Sequence, residues 1–288
     1  VFSADFEMAW AFQYSKSLAD RAIEQGMLER KNIPAILSLL EDYNIPVTWA
    51  TVGHLFLESC KRSNGLIHSD MPRPDHFDNR NWSFFHGDWY QFDPGSDYIK
   101  DPAWYAPDLI QQILDSDTNH EIGCHTFSHI DFTNKNCSLE LADEEIKKCK
   151  DLAKSKNLTL LSMVFPGGTD GHHEVVKKHG FLSYRKPMAY DIDMPYTDSY
   201  GLVAIPSSYG MDKPGYNWSE QTCREIAHKY IDKAAEHKKV CHLWFHPSMH
   251  PWYLNHVLPG VLRYIDEKRR NGMIEVMTMR ELASKIKE

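Results

Sequence analysis

Short apolar runs alternate with amphipathic stretches along most of the chain, and this alternation constrains the fold more than any other feature. Eight runs carry strand signals, at residues 1–6, 47–51, 121–125, 158–165, 182–184, 202–206, 240–245 and 274–277. Helical patterns fill most of the gaps, at residues 18–43, 106–114, 138–154, 173–178, 220–237, 257–271 and 280–287. Such alternation predicts a mainly parallel sheet, and seven or eight units predict a closed or nearly closed barrel. An open doubly wound sheet is the alternative, but no Gly-x-Gly-x-x-Gly fingerprint follows a strand.

Composition excludes several classes of partner. The 288 residues include 32 basic and 40 acidic ones, and the formal net charge of −8 argues against nucleic acid or an anionic membrane surface. No apolar run approaches the length of a membrane span. The six cysteines are scattered without a Cys-x-x-Cys pair, and no secretory signal opens the sequence. These features predict a cytoplasmic protein with one domain over residues 1–288.

The sixteen histidines give about one His-x-x-x-His pair by chance, so the bare pattern proves little. Three such pairs occur, at 125/129, 242/246 and 246/250. Context favours the first, because His125 follows a short strand signal. If the next residues form one helical turn, His129 lies on the same face. Two imidazoles so placed suit a transition metal, and two hydrogen-bonded surface histidines are the alternative.

A carboxylate pair and a late histidine also stand at strand ends. Asp5 and Glu7 are two residues apart, so on a strand both side chains point to one face. The same alternation places His242, Trp244 and His246 on one face of the late strand, which ends at Pro247. At the mouth of a barrel, one carboxylate can bind a metal while the other accepts a proton. His246 suits a general acid, since the ordinary pKa of histidine lies near neutrality.

These residues together resemble the polysaccharide deacetylase family, with its NodB-homology domain (carbohydrate esterase family 4). That family has an early acidic pair, a central His-Ser/Thr-x-x-His and a late Leu-x-x-His. The chain carries Asp5/Glu7, His125-Thr-Phe-Ser-His129 and Leu243-Trp-Phe-His246 in the same order. Segments 45–53 and 276–282 are similar as well. The match is closest to a bacterial branch associated with surface-polysaccharide and O-antigen gene clusters.

The resemblance implies an α/β fold, a distorted (β/α)7 TIM-like barrel, and a metal-dependent N-deacetylase acting on an N-acetylated sugar or polysaccharide precursor. It assigns Asp5 as general base, His246 as general acid, and Glu7, His125 and His129 as ligands of a divalent metal. Zn²⁺ is the expected ion, with Co²⁺ or Ni²⁺ as alternatives. A backbone N–H near Pro166 and Gly167 is expected to stabilise the oxyanion, and Trp244 to contact the substrate. Another C–N hydrolase (an amidase or deformylase) and a non-catalytic carbohydrate-binding protein are the alternative functions.

Two departures from the family pattern bear on these roles. Phe6 separates the two acids, which members usually carry as adjacent aspartates, so either Asp5 or Glu7 can be the ligand. The family's third motif has an arginine two residues before a proline, where this chain has Val164 before Pro166. Arg185, at the next strand end, can supply that charge or be an ordinary surface arginine.

The segment 59–105 breaks the alternation of strands and helices, and we interpret it as an insertion after the second strand. It is polar, turn-rich and aromatic, with Trp82, Phe84, Phe85, Trp89, Tyr90, Phe92, Trp104 and Tyr105. Loops this long are usually functional or disordered, and the aromatic content argues against disorder. Because aromatic faces stack well against sugar rings, we expect Trp89 and Tyr90 to line the substrate cleft. An excursion packed on the barrel, with a small core of its own, is the alternative.

Overall fold

A computed structural model describes residues 1–75, 77–78, 84–187, 191–212 and 217–288. The strands are β1 (Phe2–Phe6), β2 (Thr48–Thr51), β3 (Phe77–Asp78), β4 (Phe84–Phe85), β5 (Glu121–Cys124), β6 (Ser162–Val164), β7 (Ser183–Lys186), β8 (Tyr196–Thr197), β9 (Val203–Pro206), β10 (Tyr209–Gly210) and β11 (Leu243–Phe245). The α-helices are α1 (Ala22–Asp42), α2 (Pro107–Leu114), α3 (Leu139–Ser155), α4 (His173–Lys178), α5 (Glu220–His237), α6 (Pro251–His256), α7 (Leu258–Arg270) and α8 (Met279–Lys287). Short 3-10 turns cover Met8–Ala11, Ala19–Arg21, Gly53–Phe56 and Pro166–Gly168.

Nine of these strands form one sheet in the order β10-β11-β1-β2-β5-β6-β7-β9-β8. Every pairing from β10 to β9 is parallel, and only β8 runs antiparallel to its neighbour. In such a sheet all carboxyl ends of the parallel strands meet at one edge. The predicted α/β fold with a barrel-like parallel sheet is therefore confirmed.

The sheet is curled into an incomplete barrel. Four strand spacings separate β1 from β7, which is about 19 Å in a flat sheet. Yet the guanidinium of Arg185 on β7 lies 2.6 Å from the carboxylate of Asp5 on β1. It also lies 4.7 Å from the ring of Trp244 on β11. Only a strongly curled sheet brings these three strands around one interior space.

The base of the half-barrel is closed by α8. Its first turn is fixed by a capping box between Thr278 and Glu281. The N–H of Met279 donates to Thr48 at the start of β2, and that of Arg280 to Glu121 at the start of β5. The helix buries Met279, Leu282 and Ala283 against Ala50, Val164, Val203 and Ile205. A larger apolar core lies between the sheet and the surrounding helices.

One prediction about this architecture needs correction. Residues 274–277 form no strand with any described residue, and Ile274 and Val276 pack their side chains on the main core. The described residues of the insertion do not support the alternative of a separate core, since Trp89, Tyr90, Trp104 and Tyr105 all join the main one. Trp82, named among its aromatic residues, lies outside the described residues. No helix in the described part of the chain is long and apolar enough to cross a membrane.

Candidate active site

A cleft of about 780 Å³ opens at the carboxyl edge of the sheet. It is lined by Asp5, Glu7, His129, Arg185, Trp244 and His246, among others. The side chains of Ser3 and Asp5 point into the half-barrel because strand residues alternate between faces. A second cavity, of about 500 Å³ and largely aliphatic, shares no lining residue with this cleft.

Glu7 meets both histidines of the central pair. Its Oε1 lies 2.8 Å from Nε2 of His125 and 3.2 Å from Nε2 of His129, and all three side chains are buried. Burial lowers the pKa of His129, which keeps that imidazole neutral near pH 7. Burial alone would raise the pKa of Glu7, but the charge of His246 and the contacts with His129 and His125 outweigh burial and hold it well below its ordinary value. An ionised carboxylate therefore faces neutral imidazole nitrogen.

The proton positions at this cluster fit a metal ion. A carbonyl can only accept, so Nδ1–H of His125 donates to the Val164 carbonyl at 2.8 Å. The other ring nitrogen of His125, Nε2, faces the Glu7 carboxylate. Two acceptors at 2.8 Å repel unless a cation or a proton lies between them. A carboxylate with two imidazoles, one oriented by a backbone carbonyl, is a donor set suited to Zn²⁺ and similar ions.

Asp5 is held by Arg185 in a two-pronged ion pair. Both distances between guanidinium nitrogen and carboxylate oxygen are 2.6 Å, and a third hydrogen bond joins Arg185 to Ser3 at 3.1 Å. Burial alone would raise the pKa of Asp5, but the charge and hydrogen bonds of Arg185 outweigh burial and lower it. Arg185 is paired in register with Val164, the position where the family pattern carries its arginine. The positive charge beside Asp5 therefore comes from β7 and not from β6.

His246 stands over the two carboxylates. Its Nε2 lies 3.8 Å from Glu7 and 4.0 Å from Asp5, and its Nδ1 lies 2.8 Å from Asp212. Burial alone would lower the pKa of His246, but the charges of Asp212 and Glu7 outweigh burial and raise it to about 9. The imidazole is therefore cationic at neutral pH. Sequence reasoning missed Asp212, which follows the two-residue strand β10.

Two buried glutamates support the loops that carry these side chains, and both were missed from the sequence. Glu29 on α1 accepts the N–H groups of Glu7 and Met8 at 2.9 and 3.1 Å, where Met8 has a left-handed φ of 54°. Glu145 on α3 accepts the N–H groups of Phe127 and Ser128 at 2.8 and 2.9 Å. A usable signal existed, because both glutamates occupy the apolar stripe of their helix.

The residues predicted to bind substrate divide into two groups. Gly167 and Trp244 line the cleft. Pro166 is buried behind the turn that presents Gly167. Trp89 and Tyr90 are each 1% exposed, which corrects their prediction as cleft residues. The Trp89 indole N–H donates to the Ser128 hydroxyl at 2.9 Å, so the insertion braces the histidine loop from behind.

The chain matches a known protein family. The family model for polysaccharide deacetylase matches residues 22–182, which is more than half of the chain. No curated protein matches the sequence.

Solved structures share the fold at low sequence identity. A protein from Mycobacterium smegmatis assigned as a polysaccharide deacetylase is 12% identical, with a TM-score of 0.66 over 100% of this chain and 89% of its own. One from Pseudomonas aeruginosa PAO1, also assigned as a polysaccharide deacetylase, is 15% identical, with a TM-score of 0.61 over 98% of this chain and 82% of its own. The PuuE allantoinase is 17% identical, with a TM-score of 0.60 over the same shares.

Replacing Glu145 by glutamine should reduce the pH dependence of stability. Burial raises the pKa of Glu145 from 4.5 to about 7, so between these values the folded state holds a proton that the unfolded state has lost. The free energy of unfolding therefore falls by about 3 kcal/mol as pH rises through this window. We expect Glu145→Gln to remove most of that fall in urea unfolding at pH 5 and pH 8. The neighbouring Glu144→Gln is the control, and an unchanged fall in Glu145→Gln would contradict this explanation.

Proposed function

The chain belongs to the polysaccharide deacetylase family, and from this premise we propose that it is a metal-dependent hydrolase that removes the acetyl group of an N-acetylated sugar. The observation that carries the proposal is the convergence of the Glu7 carboxylate with Nε2 of His125 and His129, beside Asp5 and beneath His246. The substrate would be a surface polysaccharide or its precursor. The formal net charge of −8 suits a neutral sugar better than a polyanion.

We assign the metal ligands as Glu7, His125 and His129. Both oxygens of Asp5 already accept from Arg185, whereas Glu7 Oε1 faces both imidazoles, and this supports Glu7 rather than Asp5 as the acidic ligand. Zn²⁺ is the ion we propose, with Co²⁺ or Ni²⁺ able to replace it. When bound, such an ion acts as a Lewis acid that polarises a carbonyl oxygen and makes water more acidic.

Asp5 acts as the base that accepts a proton from the attacking water. Arg185 keeps this carboxylate ionised and fixes its orientation, as a two-pronged guanidinium contact does better than a lysine. The Gly167 N–H, on a turn that faces the cleft, is our candidate donor to the developing oxyanion. A C–O bond forms to the acetyl carbon as its C–N bond breaks.

His246 donates the proton that the departing amine requires. Its raised pKa keeps it protonated at neutral pH, and Asp212 holds Nδ1 so that Nε2–H points towards the carboxylates. Acetate and a free amino sugar are the products. Trp244, which packs edge-on to the His246 ring at 5.3 Å, forms a wall of the cleft against which a sugar ring can lie.

Product analysis separates this function from its rivals. We expect acetate from N-acetylated sugars, and neither formate from N-formylated sugars nor ammonia from small ureides. Formate or ammonia as the main product would instead identify a deformylase or an amidase. Sugar binding without turnover by the metal-loaded protein would identify a carbohydrate-binding role.

Asp5→Asn should lower acetate release at least a hundredfold, because amide nitrogen and oxygen cannot accept the water proton. Metal content should stay at the wild-type level, since Asp5 is not among the proposed ligands. Asp266→Asn is the matched control: Asp266 is also buried and paired with arginines, but it lies on α7 and does not line the cleft. Full activity of Asp5→Asn would refute its role as the base.

Asp212→Asn should move the alkaline limb of the pH–rate profile to lower pH. Asparagine can still accept the hydrogen bond from His246 Nδ1, but the charge that raises the pKa of His246 is gone. A lower pKa means that the acid form is lost earlier as pH rises, by at least about one pH unit. The profile of kcat/KM measures this shift. An alkaline limb at the wild-type position would show that His246 is not the acid that Asp212 tunes.

A further inference from the structure

A second cluster of potential metal ligands lies outside the cleft, where the insertion meets the end of β2. It consists of His54, Cys60, His68 and Asp93, which we call the insertion cluster. None of the four lines the cleft, and none belongs to the group formed by Glu7, His125 and His129. We propose that the insertion cluster is a structural metal site that binds Zn²⁺ through two imidazoles, a thiolate and a carboxylate. This proposal does not depend on the proposed catalytic function.

The ligand atoms converge as the corners of a coordination polyhedron do. Nε2 of His54 lies 3.0 Å from Nε2 of His68 and 3.0 Å from Oδ2 of Asp93. His68 Nε2 is 3.2 Å from the same oxygen. The Cys60 sulfur lies 3.3 and 3.5 Å from the two Asp93 oxygens. A tetrahedral zinc site with metal–nitrogen bonds of about 2.0–2.1 Å has ligand–ligand separations of about 3.3 Å.

The proton positions fit a cation here as they do at the cleft. Nδ1 of His54 lies 3.2 Å from the Trp104 carbonyl, to which only an N–H can donate. The other ring nitrogen of His54, Nε2, faces the Asp93 carboxylate. Nε2 of His54, Nε2 of His68 and Oδ2 of Asp93 form a triangle. A proton on His68 can form a straight hydrogen bond along one side of this triangle, but not along all three. A divalent ion in the middle satisfies every lone pair at once.

Neighbouring groups hold the ligands in position. Oδ1 of Asp93 accepts from the Gly95 N–H at 2.9 Å and from the Tyr105 hydroxyl at 3.1 Å, which leaves Oδ2 aimed at the histidines. The same hydroxyl lies 3.0 Å from the Cys60 sulfur. Such outer hydrogen bonds are usual around protein metal sites and fix the ligand orientation.

The composition of the cluster selects the ion. Sulfur and imidazole nitrogen favour Zn²⁺ over the oxygen-seeking Mg²⁺ and Ca²⁺. Binding would release the thiol proton of Cys60, and the resulting thiolate and carboxylate would balance the two positive charges. His54 and Asp93 are fully buried, and the rings of Trp10 and Tyr105 lie 4.4 and 4.9 Å from that of His54. Four protein ligands in an apolar shell are typical of a structural site rather than a catalytic one.

The position of the insertion cluster indicates what the ion would stabilise. Three ligands come from the insertion, and His54 comes from the turn that follows β2. The N–H of His54 donates to the Phe127 carbonyl at 2.9 Å, and that of Gly53 to the Thr126 carbonyl at 2.8 Å. The ion would therefore fasten the insertion to the barrel beside the loop between His125 and His129.

Cobalt substitution distinguishes this site from the cleft, because the cleft ligands include no sulfur. Protein stripped by a chelator and loaded with Co²⁺ should show a thiolate-to-cobalt charge-transfer band in the near ultraviolet. We expect Cys60→Ser to reduce that band more than tenfold. His129→Ala should retain it, and so should Cys241→Ser, which changes another partly buried cysteine without altering the cluster.

A folded wild-type protein that shows no thiolate–cobalt band would overturn the proposal, whether or not Cys60→Ser can be purified. A band that survives in Cys60→Ser would overturn it as well. Native mass spectrometry is an independent test: the His68→Asn variant should carry one metal ion fewer per chain than the wild type. Equal metal content in the wild type and His68→Asn would contradict the assignment.

Discussion

The ion pair between Asp5 and Arg185 is the interaction on which the rest of the site depends. It joins β1 to β7 across the interior of a curled sheet, although four strand spacings separate the two. A buried ion pair adds little net stability, since the desolvation of both charges offsets their attraction, but loss of one partner leaves a costly unpaired charge. The pair therefore favours the curled form of the sheet. His246 follows β11, which pairs directly with β1 on its other side, and lies within 4.0 Å of the Asp5 and Glu7 carboxylates.

One proton arrangement occurs at two places in the molecule. In each, a histidine donates Nδ1–H to a backbone carbonyl and places Nε2 against a carboxylate: His125 against Glu7, and His54 against Asp93. The surroundings differ in a way that separates their proposed roles. The first opens to a cleft next to a base and an acid, whereas the second is enclosed by aromatic rings and has a fourth protein ligand. The geometry thus suits exchange of substrate at one site and permanent attachment of the insertion at the other.

The sequence predicted the parts that follow from local periodicity. Asp5 lies on β1 and Glu7 directly after it, and the ends of parallel strands meet at one edge, which brings both near His125 and His246. Residues whose position depends on tertiary structure were harder to predict. Arg185 reaches Asp5 only because the sheet curls, and Asp212 follows a strand too short to give a pattern. Glu29 and Glu145 read as ordinary helix charges, although both lie on buried stripes. Aromatic content did not show which rings of the insertion face solvent, so Trp89 and Tyr90 were assigned to the cleft.

The central claim is that Glu7, His125 and His129 hold the ion on which hydrolysis depends. Elemental analysis of the wild type and His129→Ala, purified without chelator or affinity tag and assayed for acetate release, tests it most directly. The account predicts that the variant contains one divalent ion fewer per chain than the wild type and that acetate release disappears with that ion. Equal metal content in the two proteins, or undiminished acetate release by the variant, would contradict it.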